Sequence, residues 1–298
     1  MYDFPRVKSA IIEKAATASW NGAEMLAASS STEQQDTAEW RQAAVERVIM
    51  VMRERLDNPL TLDEMAEIAH LSRFHFNRVF GGVTGVSPRK FLATLRLEYA
   101  KKLLLTTEMS ITDVCFETGF SSLGTFTTHF TRLVGVTPRK WRRLPVDINM
   151  PMMEVVRLVA EARARVDRRH LAVKGSVAIS SEESPMNGVV FVGVFEQQIP
   201  EALPLAGDLL FGGGDYFIPL LPDGAYYVLA VAIPLPLNPM DFFLPGMMLR
   251  DRSPRCAISN QQCVEEVNLS LRAPRITDPP ILIALPFLFA AYLGLGGG

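Results

Sequence analysis

Two Arg-Lys pairs, Arg89-Lys90 and Arg139-Lys140, lie 50 residues apart, each directly after a Ser-Pro or Thr-Pro step. Ser or Thr caps a helix and Pro suits its first position, so each pair falls in a first helical turn, where positive charge opposes the macrodipole. Duplicated cations set against a dipole invite a bound anion, and a phosphate is the group whose charge suits them. Arg142 and Arg143 extend the second cluster. Upstream of the first pair stand Arg73, Asn77 and Arg78, at spacings that share a helix side. Guanidinium and carboxamide groups are those that hydrogen-bond guanine and adenine edges in a major groove.

These side chains are positioned by a duplicated unit. Phe76 to Phe91, FNRVFGGVTGVSPRKF, recurs as Phe126 to Trp141, FTTHFTRLVGVTPRKW, with seven identities. Each copy reads as an apolar helix (Phe76, Val79, Phe80, Val83; then Phe126, Phe130, Leu133), a Gly-Val turn, a Ser or Thr N-cap and a Pro-led helix. A shorter helix precedes each copy. In the first, Thr61 caps, Glu64 completes a capping box, and Leu62, Met65, Ala66 and Ala69 point inward. In the second, Ser110 begins a helix with Ile111, Val114 and Cys115 inward, and the turn at Gly119-Phe120 is one residue longer than that at His70-Leu71. Two short helices joined by a tight turn form the helix-turn-helix pattern. Between the copies, Ser87 to Thr106 reads as one amphipathic connecting helix, apolar at Phe91, Leu92, Leu95, Tyr99, Leu103 and Leu104. A fixed connector would let one chain address two faces about 34–36 Å apart along a duplex.

Residues from about 41 to 143 resemble the AraC/XylS family of transcriptional regulators. The resemblance is carried by Gly119-Phe120-Ser121-Ser122, Phe126, Phe130 and Gly135-Val136-Thr137-Pro138-Arg139-Lys140-Trp141-Arg142, with a weaker first copy at Leu71 to Phe91. It implies sequence-specific DNA binding through two major-groove helices, usually to activate and sometimes to repress transcription. With Phe76, Val79, Phe80 and Val83 facing the core, helical geometry turns Arg73, Phe74, Asn77 and Arg78 outward as base contacts. In the second helix the outward set is Leu123, Gly124, Thr125, Thr127 and Thr128, of which Gly124, Thr125 and Thr128 are expected at bases. The family commonly carries Arg where Thr128 stands, so the first unit is expected to supply most sequence discrimination. Phosphate contacts are expected from Ser72, Arg89, Lys90, Ser122, Arg139, Lys140, Arg142 and Arg143. By register with Val79, His129 is expected to pack inward.

Charge is divided along the chain. Residues 40–145 hold 16 Lys and Arg against 10 Asp and Glu, a net of +6, whereas 171–298 hold 6 against 12, a net of −6. Nucleic acid would meet the basic half. The expected organisation is multidomain α + β: an N-terminal helix and linker at 1–39, an all-α tandem helix-turn-helix domain at 40–145, a connecting helix at 146–170, and an antiparallel β-sandwich at 171–298. Strands are expected at Val173–Ser180, Val189–Phe195, Asp215–Pro219, Ala225–Ile233, Val264–Leu271 and Ile281–Leu285, with a turn at Pro222-Asp223-Gly224. The glycine-punctuated strands Lys174-Gly175-Ser176-Val177, Asn187-Gly188-Val189-Val190 and Gly214-Asp215-Tyr216-Phe217-Ile218 resemble transthyretin-like or carboxypeptidase-regulatory-like modules, which implies interaction or ligand sensing rather than catalysis.

No catalytic constellation, metal-ligand spacing or phosphate loop is legible, and no cofactor is expected. His70, His75, His129 and His170 are scattered, and the three cysteines suggest reduced thiols in a cytoplasm, with Cys256 and Cys263 an alternative redox pair. The apolar run Ile281 to Leu295 contains Pro286 and is shorter than the roughly 20 residues of a membrane span, so burial in the sandwich core or an oligomer interface is expected. Double-stranded DNA is the expected partner, with RNA polymerase contact and an effector or self-association through 171–298 as further candidates. The competing class is a scaffold whose helical unit docks a protein.

Overall fold

The computed structural model describes residues 37–147, 157, 160, 161, 163, 164, 171–179, 188–200, 204–219, 221–234, 248–260, 262, 263 and 266–283, with side chains of the first block described to 143. Of the expected helix and linker at 1–39, residues 1–36 lie outside them, as does all of the apolar run beyond 283, while 37–39 belong to a helix that continues to 54. Within the expected connecting helix, Arg157, Ala160, Glu161, Arg163 and Ala164 are helical.

Seven helices fill the first block: α1 over 37–54, α2 (Leu62–Ile68), α3 (Arg73–Thr84), α4 (Pro88–Thr106), α5 (Ile111–Glu117), α6 (Leu123–Val134) and α7 (Pro138–Asp147). Their ends follow from local chemistry. Thr61 and Glu64 form the reciprocal capping box of α2. Ser87 and Thr137 accept the Lys90 and Lys140 amides at 3.4 and 3.2 Å, with Pro88 and Pro138 in the first turn. Gly85 and Gly135 close α3 and α6 at φ 81 and 90°, a left-handed conformation that a side chain disfavours.

The helices bury two cores. Ala44, Val48, Ile49 and Met52 of α1 pack with Met65, Phe76, Phe80, Phe91, Leu92 and Leu95, while Leu97, Ala100 and Leu104 pack with Val114, Cys115, Phe126, Phe130 and Trp141. The same aromatic contacts recur in both. Phe76–Phe80 and Phe80–Phe91 have centroids 5.5 Å apart, and Phe126–Phe130 and Phe130–Trp141 repeat them at 5.7 and 6.4 Å. The connector departs from the single stripe expected. Its N-terminal half faces the first core and its C-terminal half the second, so Thr94, Leu97, Ala100 and Lys101 are buried as well. A helix clasped between two lobes has little solvent face left. The lobes also meet directly, because the Arg96 guanidinium donates to the carbonyls of Leu56 and Asn58, both at 2.9 Å, beside Gly119.

The remaining described chain is β-rich: β1 (Leu171–Ile179), β2 (Gly188–Phe195), β3 (Ala206–Phe211), β4 (Gly214–Pro219), β5 (Gly224–Pro234), β6 (Leu249–Arg252), β7 (Cys256–Ser259), β8 (Gln262–Cys263) and β9 (Leu269–Leu271). One sheet runs β4-β1-β9 and the other β3-β2-β5-β7-β8, with β6 also on β5. Period-two alternation along β2 sends Val190, Val192 and Val194 to a core shared with Val173, Val177, Tyr216 and Ile218 of the smaller sheet. Val189, Phe191 and Phe195 face the opposite side, where Leu209, Leu229, Val231, Met248, Ile281 and Ile283 cover them.

Three expectations need correction. The sheets are not wholly antiparallel: β9 runs parallel to β1, which the long excursion through the other sheet permits. Of the strand expected at Val264–Leu271, the described strand residues are Leu269–Leu271, because the chain passes from one sheet to the other between β8 and β9, and Asn268 there accepts the Ser176 amide at 2.9 Å. Nor do 281–283 form a strand. Pro279 and Pro280 remove two amide donors just upstream, and Leu282 enters the second helical core instead of the space between the sheets. Ile199 and Ile276 pack similarly on the first helical core.

Candidate nucleic-acid interface

The outward faces of α3 and α6 are built by matching turns. Ala69 and His70 continue from α2 to α3, with the His70 and Leu71 amides donating to Glu67 and Ala66, both at 2.9 Å. In the second unit the Gly119 and Phe120 amides donate to Phe116 and Cys115 at 2.9 and 3.1 Å. His70 takes φ 56° where Gly119 takes 77°, so one bend is made with and without a β-carbon. This shared geometry aims both following helices, and the longer second turn adds Ser121 before its cap.

On α3, Arg73, Phe74, Asn77 and Arg78 are all exposed, opposite the buried Phe76, Val79 and Phe80. Phe74 is 90% exposed, an aromatic ring with almost no intramolecular packing. Arg73 lies 3.8 Å from Asp63 across the turn, a long and solvated pairing. On α6, Gly124, Thr125 and Thr128 are exposed, Leu123 is 39% exposed and Thr127 half-buried. Ser122 caps α6 by accepting the Thr125 amide at 3.4 Å, whereas the Ser72 hydroxyl makes no cap bond to α3. His129 is half-buried, 6.4 Å from the Phe120 ring, so it packs inward only in part.

Of the expected phosphate contacts, Ser72, Arg89, Ser122, Arg139, Lys140 and Arg143 are exposed and Lys90 is half-buried. Arg142 differs. Its Nε donates to Leu104 at 3.2 Å and its Nη2 to Met109 at 2.5 Å, so the guanidinium ties α7 to the end of α4 and the loop beyond. Carbonyls left open at a helix C-terminus explain that placement.

Lys101 is the residue that sequence reading missed. It is 1% exposed, its Nζ lies 4.8 Å from the Trp141 ring centroid and donates to Ile281 at 3.3 Å, and Trp141 Nε1 donates back to the Lys101 carbonyl at 3.1 Å. Burial lowers its pKa to about 7, against the attraction of Glu98. Spacing offered a signal: Lys101 follows Leu97 by four and precedes Leu104 by three. Among the described residues no helix is long and apolar enough to cross a membrane, and no three His, Cys, Asp or Glu side chains come together as a metal site.

A helix-turn-helix domain family matches residues 65–144. Over 99 residues the chain is 37% identical to the HTH-type transcriptional regulator ExsA of Pseudomonas aeruginosa, covering 33% of this chain and 36% of that protein. Residues 65–144 are an AraC-type helix-turn-helix domain. The virulence regulon transcriptional activator VirF of Yersinia enterocolitica is also 37% identical over 97 residues, again 33% of this chain and 36% of that one. An AraC-type transcriptional regulator from Chromobacterium violaceum, known as a crystal structure, is 31% identical, with 34% of this chain and 90% of that chain covered at a TM-score of 0.32. The chain spans about a third of the length of the curated relatives it matches. The likeness therefore concerns the AraC-type domain and leaves the β-rich part to its own physical reading.

Proposed function

We propose that the protein is a sequence-specific DNA-binding transcription regulator. Its helical domain, residues 40–145, acts as a tandem helix-turn-helix in which α3 and α6 enter successive major grooves. Residues 171–298 act as a β-sandwich that senses a ligand or mediates assembly, joined through 146–170. The observation that carries this is the solvent-facing row Arg73, Phe74, Asn77 and Arg78 on a helix whose other side is buried. Arg and Asn suit guanine and adenine edges, and an exposed Phe suits a thymine methyl. Gly124, Thr125 and Thr128 offer only short contacts, so the second unit contributes register and phosphate binding more than base discrimination. Ser72, Arg89, Lys90, Ser122, Arg139, Lys140 and Arg143 form the phosphate set, and Arg142 is withdrawn from it. Such a protein works in the cytoplasm on double-stranded DNA, with RNA polymerase as a further partner when it activates.

Selection of bound duplexes from a random pool with the full chain, followed by affinity measurements over a range of salt, tests the reading. The expected outcome is an enriched site longer than one half-site and an affinity that falls steeply as salt rises. Salt-independent binding with no enriched sequence would instead support a helical unit that docks a protein partner.

A further inference from the structure

We propose that Cys256 and Cys263 form a thiol-exchange site in the β-rich part, which takes a small disulfide compound from the adjoining cavity and closes reversibly into an intramolecular disulfide. The site stands whether or not the helical domain reads DNA.

The two cysteines meet through the β7–β8 hairpin. Ile258 pairs with Cys263 and Ser259 with Gln262, across a tight turn in which Asn260 takes φ 53°. Cys256 precedes Ile258 by two, so both thiols share one face of the hairpin as diagonal neighbours. The Cys256 thiol is hydrogen-bonded to that of Cys263 and lies 3.4 Å from the Tyr226 carbonyl. Both side chains are half-buried against the core between the sheets, which includes Tyr216, Ile258 and Val267. A cavity of about 340 Å³ adjoins them, lined also by Ser253, Arg255, Glu266 and Asn268. That volume lies in the range of small-ligand sites. Closing from hydrogen-bond contact to a sulfur–sulfur bond of about 2 Å requires the hairpin to shift. Among the described residues β8 is two residues long and ends its sheet, so it moves without breaking a second ladder.

Burial pushes the Cys256 thiol up to about 11, so Cys263 acts first. Its thiolate attacks one sulfur of the incoming disulfide, that S–S bond breaks, and half of the compound leaves as a thiolate. Cys256 then loses its proton and attacks Cys263 Sγ, which expels the second half. The protons released by Cys263 and Cys256 end on the two departing thiols, so two protein thiols are oxidised as one disulfide is reduced. Contact between the cysteines makes the second step intramolecular, which offsets the small thiolate fraction of Cys256. Disulfides that form among otherwise reduced thiols are mostly catalytic or redox-sensing.

Oxidised glutathione, added to the full chain and followed by acid quenching, alkylation, trypsin and mass spectrometry, tests this. The tryptic peptide Cys256–Arg272 carries both cysteines with no internal Lys or Arg. We expect it to pass through a single glutathione adduct on Cys263 and then to lose two hydrogens, with reduced glutathione restoring both thiols. Cys115, buried in the second helical core, should stay open to alkylation after denaturation throughout. Cys256→Ser should stop at the Cys263 adduct, formed within about twofold of the original rate, whereas Cys263→Ser should slow any adduct by about tenfold or more. Adducts on both cysteines without a link, or a link between two chains, overturn the site. So does oxidation of Cys115 at the same rate, because the thiols are then reached through unfolding. A first adduct on Cys256 in the unaltered chain overturns the order of attack, even where a variant fails to fold. No step of the measurement uses DNA, so a failure of duplex binding counts against the regulator reading separately.

Discussion

The side chains that face solvent on α3 and those that tie the helices together are distinguished by where their hydrogen bonds go. Arg78 is exposed on a face with Phe74 and Asn77, so Arg78→Ala should leave folding intact, weaken binding to the selected duplex by about 1–3 kcal/mol and relax one base position. Repeating the selection with the variant checks it, and an unchanged preference removes Arg78 from the reading set. Arg139 and Arg142, three residues apart, should behave oppositely. Arg139→Ala should lower the salt slope of binding by about one and leave stability alone. Arg142→Ala should leave the slope but cost about 1–3 kcal/mol in urea melts, because the Leu104 and Met109 carbonyls lose a charged donor. Lys101 carries a pH signature. Its amine titrates near 7 in the folded chain against an ordinary 10.5, so the unfolded chain binds more protons between those values. Stability therefore rises with pH across that window, and the cost of burying the ammonium is fully present below it. Lys101→Met should flatten this rise in urea midpoints taken at about pH 7 and pH 9.5. An equal slope in both proteins would place the titration elsewhere.

At the scale of elements, the two units reach one bend by different routes, which gives a comparison internal to the chain. Gly119 sits at φ 77° and a β-carbon there would meet the Leu56 carbonyl at 2.3 Å and Arg96 Cζ at 2.9 Å. Gly119→Ala thus combines a strained backbone with a clash against the other lobe, and should cost more than about 2 kcal/mol. At φ 56° His70 already bears the left-handed strain, on an exposed position. His70→Gly should relieve up to about 1 kcal/mol, offset in part by the greater freedom of glycine in the unfolded chain. Thermal melts of the two variants check the pair, and a neutral Gly119→Ala would mean that the lobes do not meet at Leu56. The helical elements were legible because their signals are local: Thr61 with Glu64, Pro88 and Pro138 after their caps, and Gly85 and Gly135 at helix ends. The connector misled because heptad-like spacing of Phe91, Leu95 and Leu103 suggests one buried face, while a second lobe on the far side buries Leu97 and Ala100 too. In the β-rich part β3 escaped notice, since Gly207 and Asp208 interrupt its apolar pattern. The Asp208 carboxylate is nonetheless buried, accepting the Phe217 amide at 3.0 Å and lying 3.3 Å from Arg163. Likewise β6 reads as Leu-Arg-Asp-Arg, and Arg252 and Asp251 find partners distant in sequence at the Gln198 carbonyl and the Ser270 amide.

At the scale of the whole molecule, the contacts between its basic and acidic parts come from residues with no local signature. Ile199, Ile276 and Leu282 are apolar residues in loops, and nothing near them in the chain says that they complete helical cores. Gln198, Arg250, Arg252, Arg272, Asp278 and Ile281, far apart in the chain, converge only in the fold. The segment 281–283 divides its side chains, with Ile281 and Ile283 on the outer face of the larger sheet and Leu282 among Trp141, Phe130 and Leu104. A wedge of that kind makes each part a term in the stability of the other, so unfolding should be cooperative across both. Leu282 is fully buried, and Leu282→Ala should cost about 2–5 kcal/mol by removing its contacts and leaving a cavity. The loss should be unevenly shared. The second lobe loses packing, while the first lobe, held by Ile199 and Ile276, does not. The expected calorimetric result is therefore a single transition in the unaltered chain that separates into two in the variant, with DNA affinity changed most for contacts made by α6. A variant that melts at lower temperature yet keeps one transition would show that the remaining contacts, among them Ile199, Ile276 and the Lys101–Ile281 hydrogen bond, suffice to couple the parts.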